Sequence, residues 1–362
     1  MNTKEKQQIA TLFIRGRKCS DEDNVFIKKK YLQSGRDEIY SICASNKILP
    51  WAATTLCALN IESTYWGGVI LEYKERNTKI IKLLGDVYSK FAECGIEKIF
   101  VSENLGVLLA SGLDIHLFTS GDVDNCAHPS EEEKIRRVMR EMGFLIKEVF
   151  AGKRLVTMKC YPPSPNDLPE KFYIGIDFQI SARTDLPCYV EQDQFLSWNL
   201  RTYKDTMIKL PTNEEISYIC MLHTSVHRFV QSPGIRLYFD LMCAHELDCD
   251  IQKIEKWTID NKTRNRVSIS MLMANELVQI NWEPFVVSRK NKHIVHILYD
   301  KKNSILKPIR NKIGLLLVEA LCFDTNVFCG LLKILFPRKD WLLKTYHKNI
   351  ILSELLHLAH LA

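Results

Sequence analysis

The sequence predicts an α+β protein, a small mixed sheet flanked by helical N-terminal and C-terminal regions. Three observations carry that expectation. Apolar residues recur at helical spacing from about residue 22 to residue 95, and again from Thr212 to the end of the chain. Between these stretches lie short apolar runs with strand-like alternation. Gly95 marks the change, and the run Tyr161-Pro162-Pro163-Ser164-Pro165-Asn166-Asp167 reads as a loop between two of the strands. The expected divisions are residues 1–95, 96–205 and 206–362, and 362 residues suffice for more than one core.

Taken in order, Ile39, Ile42, Cys43, Ile48, Ala52, Leu56 and Leu59 keep a helical period, with Pro50 placed for a first turn. Tyr73 to Cys94 reads as one long amphipathic helix stopped by Gly95. Lys98 to Val101 is a buried-strand signal, and Leu105 to Ala110 a short helix. Asp114 to Phe118 and Gly121 to Asp124 alternate as strands do. Ser130 to Met142 is expected as a helix capped by Ser130, with Glu131, Glu132 and Glu133 in its electropositive first turn and Gly143 ending it. Strands follow at 144–149, 154–160 and 172–180. Helices resume at Thr212 and run to about Gln231, where Pro233-Gly234 ends the first; others follow to Cys249, across 251–280, and from 304 onward.

Composition excludes several classes of function. Lys and Arg number 49 against 43 Asp and Glu, a net charge of +6. An excess this small does not mark a nucleic-acid binder, although it favours an anionic ligand such as a nucleotide. The runs Lys28-Lys29-Lys30 and Lys290-Asn291-Lys292 lack interleaved aromatics and read as solvated surface. The 12 cysteines include no C-x-x-C pair, so they read as small buried hydrophobes in a reducing compartment. The N-terminus has no apolar stretch of signal type, and no run is long enough to span a membrane. Gly314 to Phe336 comes nearest but is broken by Glu319, Asp324, Asn326 and Lys333. A cytoplasmic protein is expected.

The segment richest in chemistry is Ser120-Gly121-Asp122-Val123-Asp124. Alternation on a strand points Asp122 and Asp124 the same way. Asp177 lies in a later apolar strand, where an ionisable group calls for a reason. If the two strands pair, three carboxylates converge with the oxygen chemistry that Mg²⁺ takes alongside substrate phosphates. A D-x-D pair alone is commonly no more than two solvated aspartates. Asp114-Ile115-His116 competes for the same role, but His suits Mg²⁺ poorly. His223 and His227 share a helix face, yet Thr224 stands where H-E-x-x-H has its Glu. Arg236 and Asp240 are spaced for an ion pair across one helical turn.

The order of motifs resembles the uncharacterised nucleotidyltransferase family of the polymerase-beta-like superfamily. Gly121-Asp122-Val123-Asp124 is followed by Pro129-Ser130-Glu131-Glu132, Gly143-Phe144 and Ile176-Asp177-Phe178-Gln179. Then come His223, His227-Arg228-Phe229, Arg236-Leu237-Tyr238-Phe239-Asp240, and Leu335-Phe336-Pro337 with Trp341 and Tyr346. The similarity covers about residues 35–350. The chain departs from the pattern in three places. The family's Lys-Gly falls at Ser102-Glu103, its basic residue before the first aspartate at Phe118, and its later histidine at Gln179.

The resemblance implies a nucleotidyltransferase sheet domain that moves a nucleoside monophosphate from a nucleoside triphosphate to an acceptor hydroxyl or phosphate. Asp122, Asp124 and Asp177 would be the catalytic and metal-binding residues. They would hold two Mg²⁺ ions, with Mn²⁺ as a substitute, for an in-line two-metal mechanism. Ser102, Gly121, His223, Arg228 and Arg236 would contact the nucleotide. The acceptor would be a small molecule or, by the family's association with modified peptides, a peptide natural product or protein, making the chain a peptide-tailoring enzyme. A non-catalytic nucleotide-binding module is the alternative from another class. Neither nucleic acid nor a membrane is an expected partner.

Overall fold

The computed structural model describes all residues except 152–153, 164–167, 170, 179–195, 228, 230–234, 300–319, 321, 323–326, 338, 347 and 362. Arg228, Gln179, Pro233-Gly234 and most of the span from 304 to 326 therefore lie outside the described residues.

The chain opens with four helices: α1 (Thr3–Arg15), α2 (Asp21–Ser45), α3 (Leu49–Ala58) and α4 (Ser63–Glu93). Local chemistry explains their starts. Asn2 with Glu5 and Ser20 with Asp23 form reciprocal capping boxes that satisfy the first free N–H groups of α1 and α2. Pro50 occupies the first turn of α3, where its missing N–H costs nothing. Helix α1 buries Ile9, Leu12, Phe13 and Ile14. It is an addition to the sequence expectation, and α4 begins at Ser63 rather than Tyr73.

Strand β1 (Ile99–Val101) leads into helix α5 (Glu103–Ala110), and strand β2 (Asp122–Ala127) follows. The alternation at 114–118 does not form a strand. Asp114 caps a single 3₁₀ turn, Ile115–Leu117, by accepting the His116 N–H at 3.2 Å. Short polar caps favour turns over ladders, and here that preference wins. Helix α6 (Glu132–Glu141) is likewise preceded by a 3₁₀ turn, Pro129–Glu131, and His128 rather than Ser130 provides the cap there. Strands β3 (Leu145–Ala151), β4 (Arg154–Tyr161) and β5 (Tyr173–Phe178) complete a mixed sheet in the order β1-β2-β5-β4-β3. Among the described residues only the β2–β5 pair is parallel. A two-stranded ribbon, β6 (Arg201–Thr202) with β7 (Lys209–Leu210), lies beside β1.

Helices α7 (Asn213–Val226), α8 (Arg236–His245), α9 (Ile251–Asp260), α10 (Arg264–Val278) and α11 (Arg289–Tyr299) follow. The last are α12 (Val327–Leu335), α13 (Lys339–Tyr346) and α14 (Ile350–Leu361). The expected helix across 251–280 is two helices, α9 and α10. N-terminal helix α1 packs on α8 and α10, and the Trp51 and Phe239 rings meet at 4.2 Å. The two helical stretches thus share a core with each other as well as with the sheet. Among the described residues no helix is long and apolar enough to cross a membrane, and every described cysteine is a free thiol.

Candidate active site

The sheet has a covered face and an open one. Val123, Asn125, Ile174, Ile176, Met158 and Cys160 are buried, whereas Asp122, Asp124, Tyr173, Asp177, Thr157 and Lys159 are half-buried. Asn125 pins the covered side. Its Oδ1 accepts from the Tyr88 hydroxyl of α4 at 2.8 Å, and its Nδ2 donates to the Gly175 carbonyl at 3.0 Å.

The register writes out the open face row by row. Asp122 stands opposite Tyr173, Asp124 opposite Gly175, and Cys126 opposite Asp177. On the next strand Lys159 is opposite Gly175 and Thr157 opposite Asp177. Residues in register share a face, so Asp122, Asp124 and Asp177 all point to the same side. Asp177 sits diagonally from Asp124, one strand over.

Each carboxylate is fixed by named neighbours. Ser120 Oγ donates to Asp122 Oδ1 at 2.5 Å and the Tyr173 hydroxyl to Asp122 Oδ2 at 2.7 Å. Burial and the hydrogen bond and charge of Asp122, together with the charge of Asp124, push the Tyr173 phenol well above its ordinary range, which keeps it a donor. Thr157 Oγ1 donates to Asp177 Oδ1 at 2.5 Å. The loop before Asp122 is held by α4. Arg76 Nη2 donates to the carbonyls of Phe118 and Ser120 at 2.9 and 3.2 Å, and Asn77 Nδ2 to those of Ile115 and Phe118 at 2.6 and 2.9 Å. Gly121 is exposed, and a side chain there would meet open space.

Oxygen donors on an open face suit Mg²⁺, which commonly takes only one or two carboxylates and completes its shell with water and phosphate. The three side chains are not drawn together around a point. Among the described residues no group of three His, Cys, Asp or Glu side chains is gathered closely enough to enclose an ion. The donor set therefore fits an open site completed by substrate, not a closed protein cage.

Beside β2, the Ser102 N–H donates to the Asp124 carbonyl at 2.9 Å, and α5 starts without a side-chain cap. Glu103 has φ of 52°, the left-handed backbone that glycine adopts freely. A side chain other than glycine pays about 1–2 kcal/mol for it. Glu103 is buried, with Oε2 3.2 Å from His223 Nε2, and His227 Nε2 lies 2.9 Å from the same His223 nitrogen. His223 therefore meets the start of α5.

Arg236 forms the ion pair with Asp240 for which the two are spaced. It is 3% exposed, and its Nη2 lies 3.3 Å from Asp240 Oδ1 inside the helical core. A guanidinium removed from water needs a counter-charge, and the aspartate one turn along supplies it. Asp114 likewise serves as a turn cap, with His116 Nδ1 at 3.1 Å, and His116 Nε2 turns to Thr54 Oγ1 at 3.0 Å.

Sequence reasoning missed Ser120, Thr157, Lys159, Tyr173 and Arg76. Alternation along 154–160 could have put Thr157 and Lys159 on one face, but nothing local says which face is the acidic one.

No protein-family model matches the chain, and no curated protein matches it. Among solved structures, the chain is similar to the antibiotic-resistance factor ANT(2'')-Ia in its solution structure. The identity is 9% and the TM-score 0.34, over 51% of this chain and 91% of that one.

Proposed function

We propose that the chain is a Mg²⁺-dependent nucleotidyltransferase. The observation that supports this most directly is the parallel register of β2 with β5, which sets Asp177 on the same open face as Asp122 and Asp124. Asp122 and Asp124 would hold the metal, with Ser120 and Tyr173 fixing Asp122 in place. Bound Mg²⁺ would neutralise triphosphate charge and acidify the acceptor hydroxyl.

The remaining roles belong to the chain itself. The start of α5 beyond Ser102, whose own N–H is taken by the Asp124 carbonyl, would offer the helix's partial positive charge to phosphate oxygens. Asp177, oriented by Thr157, takes the proton of the acceptor hydroxyl. The acceptor oxygen then bonds to the α-phosphorus as the bond to pyrophosphate breaks in line. Gly121 leaves the approach to Asp122 clear.

The test is Asp122→Asn against Asp114→Asn, assayed by pyrophosphate release with and without Mg²⁺. Positioning and charge neutralisation supply nearly all of this catalysis, so Asp122→Asn should lose activity by about 100-fold or more. Asp114→Asn should retain most of it, because Asp114 caps a turn. Equal losses would move the metal pair elsewhere, and full activity in Asp122→Asn would remove the mechanism.

A further inference from the structure

The row of the sheet that holds Asp124 continues past Gly175. It runs Asp124, Gly175, Lys159, Lys147 across β2, β5, β4 and β3. Lys159 and Lys147 stand directly opposite each other on adjacent antiparallel strands. Like charges in that relation repel, and the pair costs stability. Among the described residues neither ammonium makes an ion pair that would relieve this. The Lys159 ammonium instead lies 4.8 Å from the centre of the Tyr173 ring, the ring whose hydroxyl binds Asp122. Tyr161, the next outward residue of β4, packs against the same ring at 5.6 Å. The far end of this surface is open: Lys147 is exposed and Leu145 is 73% exposed.

Two cations side by side, without counter-ions among the described residues and beside an aromatic pair, suit an anion better than they suit a resting surface. Their place in the sheet says which anion. The start of α5, where phosphates of a nucleotide would bind, touches Asp124 from the β1 side through Ser102. The lysines lie on the other side, beyond β5. Lys159 is two strands from Asp124, about 9–10 Å between backbones. Asp177, the base of the proposed reaction, stands on the strand between them. A molecule that delivers its hydroxyl to Asp177 from the open side of the sheet would lie over Gly175 and reach Lys159.

We infer that Lys159 and Lys147, with the Tyr161 ring, form an acceptor subsite for a phosphorylated hydroxyl compound. This rests on the nucleotidyltransferase reading and adds to it the charge class of the acceptor. Gly175 adds no side chain between Asp124 and Lys159, where the Asp124 carboxylate and the Tyr173 ring already stand close.

The experiment uses the full chain and binding, not turnover. The nucleotide analogue α,β-methylene ATP is titrated first, with and without Mg²⁺. Phenyl phosphate, which carries a ring and a dianion, is then titrated into the protein saturated with Mg²⁺ and the analogue. Lys159→Ala should weaken phenyl phosphate by about 10-fold or more, since a charge-assisted contact is lost, and Lys147→Ala by a smaller factor. Lys159→Arg should restore binding. Affinity for the analogue should stay within about two-fold, and benzyl alcohol, the uncharged ring, should not distinguish the proteins. Both alanine variants should melt no lower than the parent, because each removes a repulsion. Phenyl phosphate that fails to bind the loaded protein, or binds all variants alike, overturns the subsite while leaving the nucleotidyltransferase reading intact. A loss that falls on the analogue assigns the lysines to the triphosphate and also overturns it. Absence of Mg²⁺-dependent analogue binding in the first titration removes both readings together.

Discussion

Gly175 is the residue on which the acidic face turns. A Cβ at this position would stand 3.1 Å from Asp124 Oδ1 and 3.6 Å from Tyr173 Cε2. The first distance is tighter than ordinary packing allows, so alanine would push the carboxylate aside by a few tenths of an ångström. The strand would gain from the exchange, since glycine is a poor strand former. Gly175→Ala should therefore leave the melting temperature within a few degrees of the parent, while the proposed reaction predicts that pyrophosphate release falls by about 10-fold or more. Unchanged release would mean that Asp124 has room to move without harm. This part of the site was half legible. The alternation of Asp122 with Asp124 is local, and it was read from the sequence. The glycine's importance depends on a neighbour from a distant strand, so no window of sequence contains it.

Among the elements, α4 has the widest reach. Its Tyr88 holds Asn125 from the covered side of the sheet, and its Arg76 and Asn77 hold the loop that leads into Asp122. Asn77 is 1% exposed, donates to two backbone carbonyls and accepts from Arg76 Nε at 2.9 Å. Asn77→Ala takes one of two donors from each carbonyl, since Phe118 keeps Arg76 and Ile115 keeps the Phe118 N–H, and should cost about 1–2 kcal/mol, read from the urea midpoint. A change below about 0.5 kcal/mol would show that water replaces the side chain. Apolar period announced α4 and most of the other helices, because each buries one stripe. It was silent about α1, where the signal was the Asn2–Glu5 capping box. It misled at 114–118, where two-residue alternation was the pattern of a capped turn. Periodicity reports which side is apolar, and a short turn satisfies it as easily as a strand does.

For the molecule as a whole, the helical core carries an ionisable group on which stability depends. Burial pushes the Asp240 carboxyl up to about 6, against the opposing charge of Arg236 and with the help of Glu103, from an ordinary value near 3.8. Between those two values the folded chain keeps a proton that the unfolded chain has released. Stability contributed here is therefore lost as pH rises from about 4 to 6 and is level above that. Urea midpoints across pH 4 to 7, compared between the parent and Asp240→Asn, should show this slope in the parent and its loss in the variant. Parallel slopes would mean that Arg236 keeps Asp240 ionised throughout. Fold class and the acidic motif were legible because both are written in local pattern. Strand order, the covered face and the meeting of α1 with α8 were not, because they are agreements between distant segments. The register of β2 with β5 has a last consequence, for how such a chain can change over generations. Moving Asp177 one place along its strand turns it into the covered side, and moving it two places carries it about 6.6 Å away. Its address on the sheet admits no intermediate values, so no gradual path leads to or from it. The connection from β2 to β3, residues 128–144, carries none of the site's side chains and is under no such rule. It can lengthen, shorten or be exchanged, provided that it returns the chain to the same address.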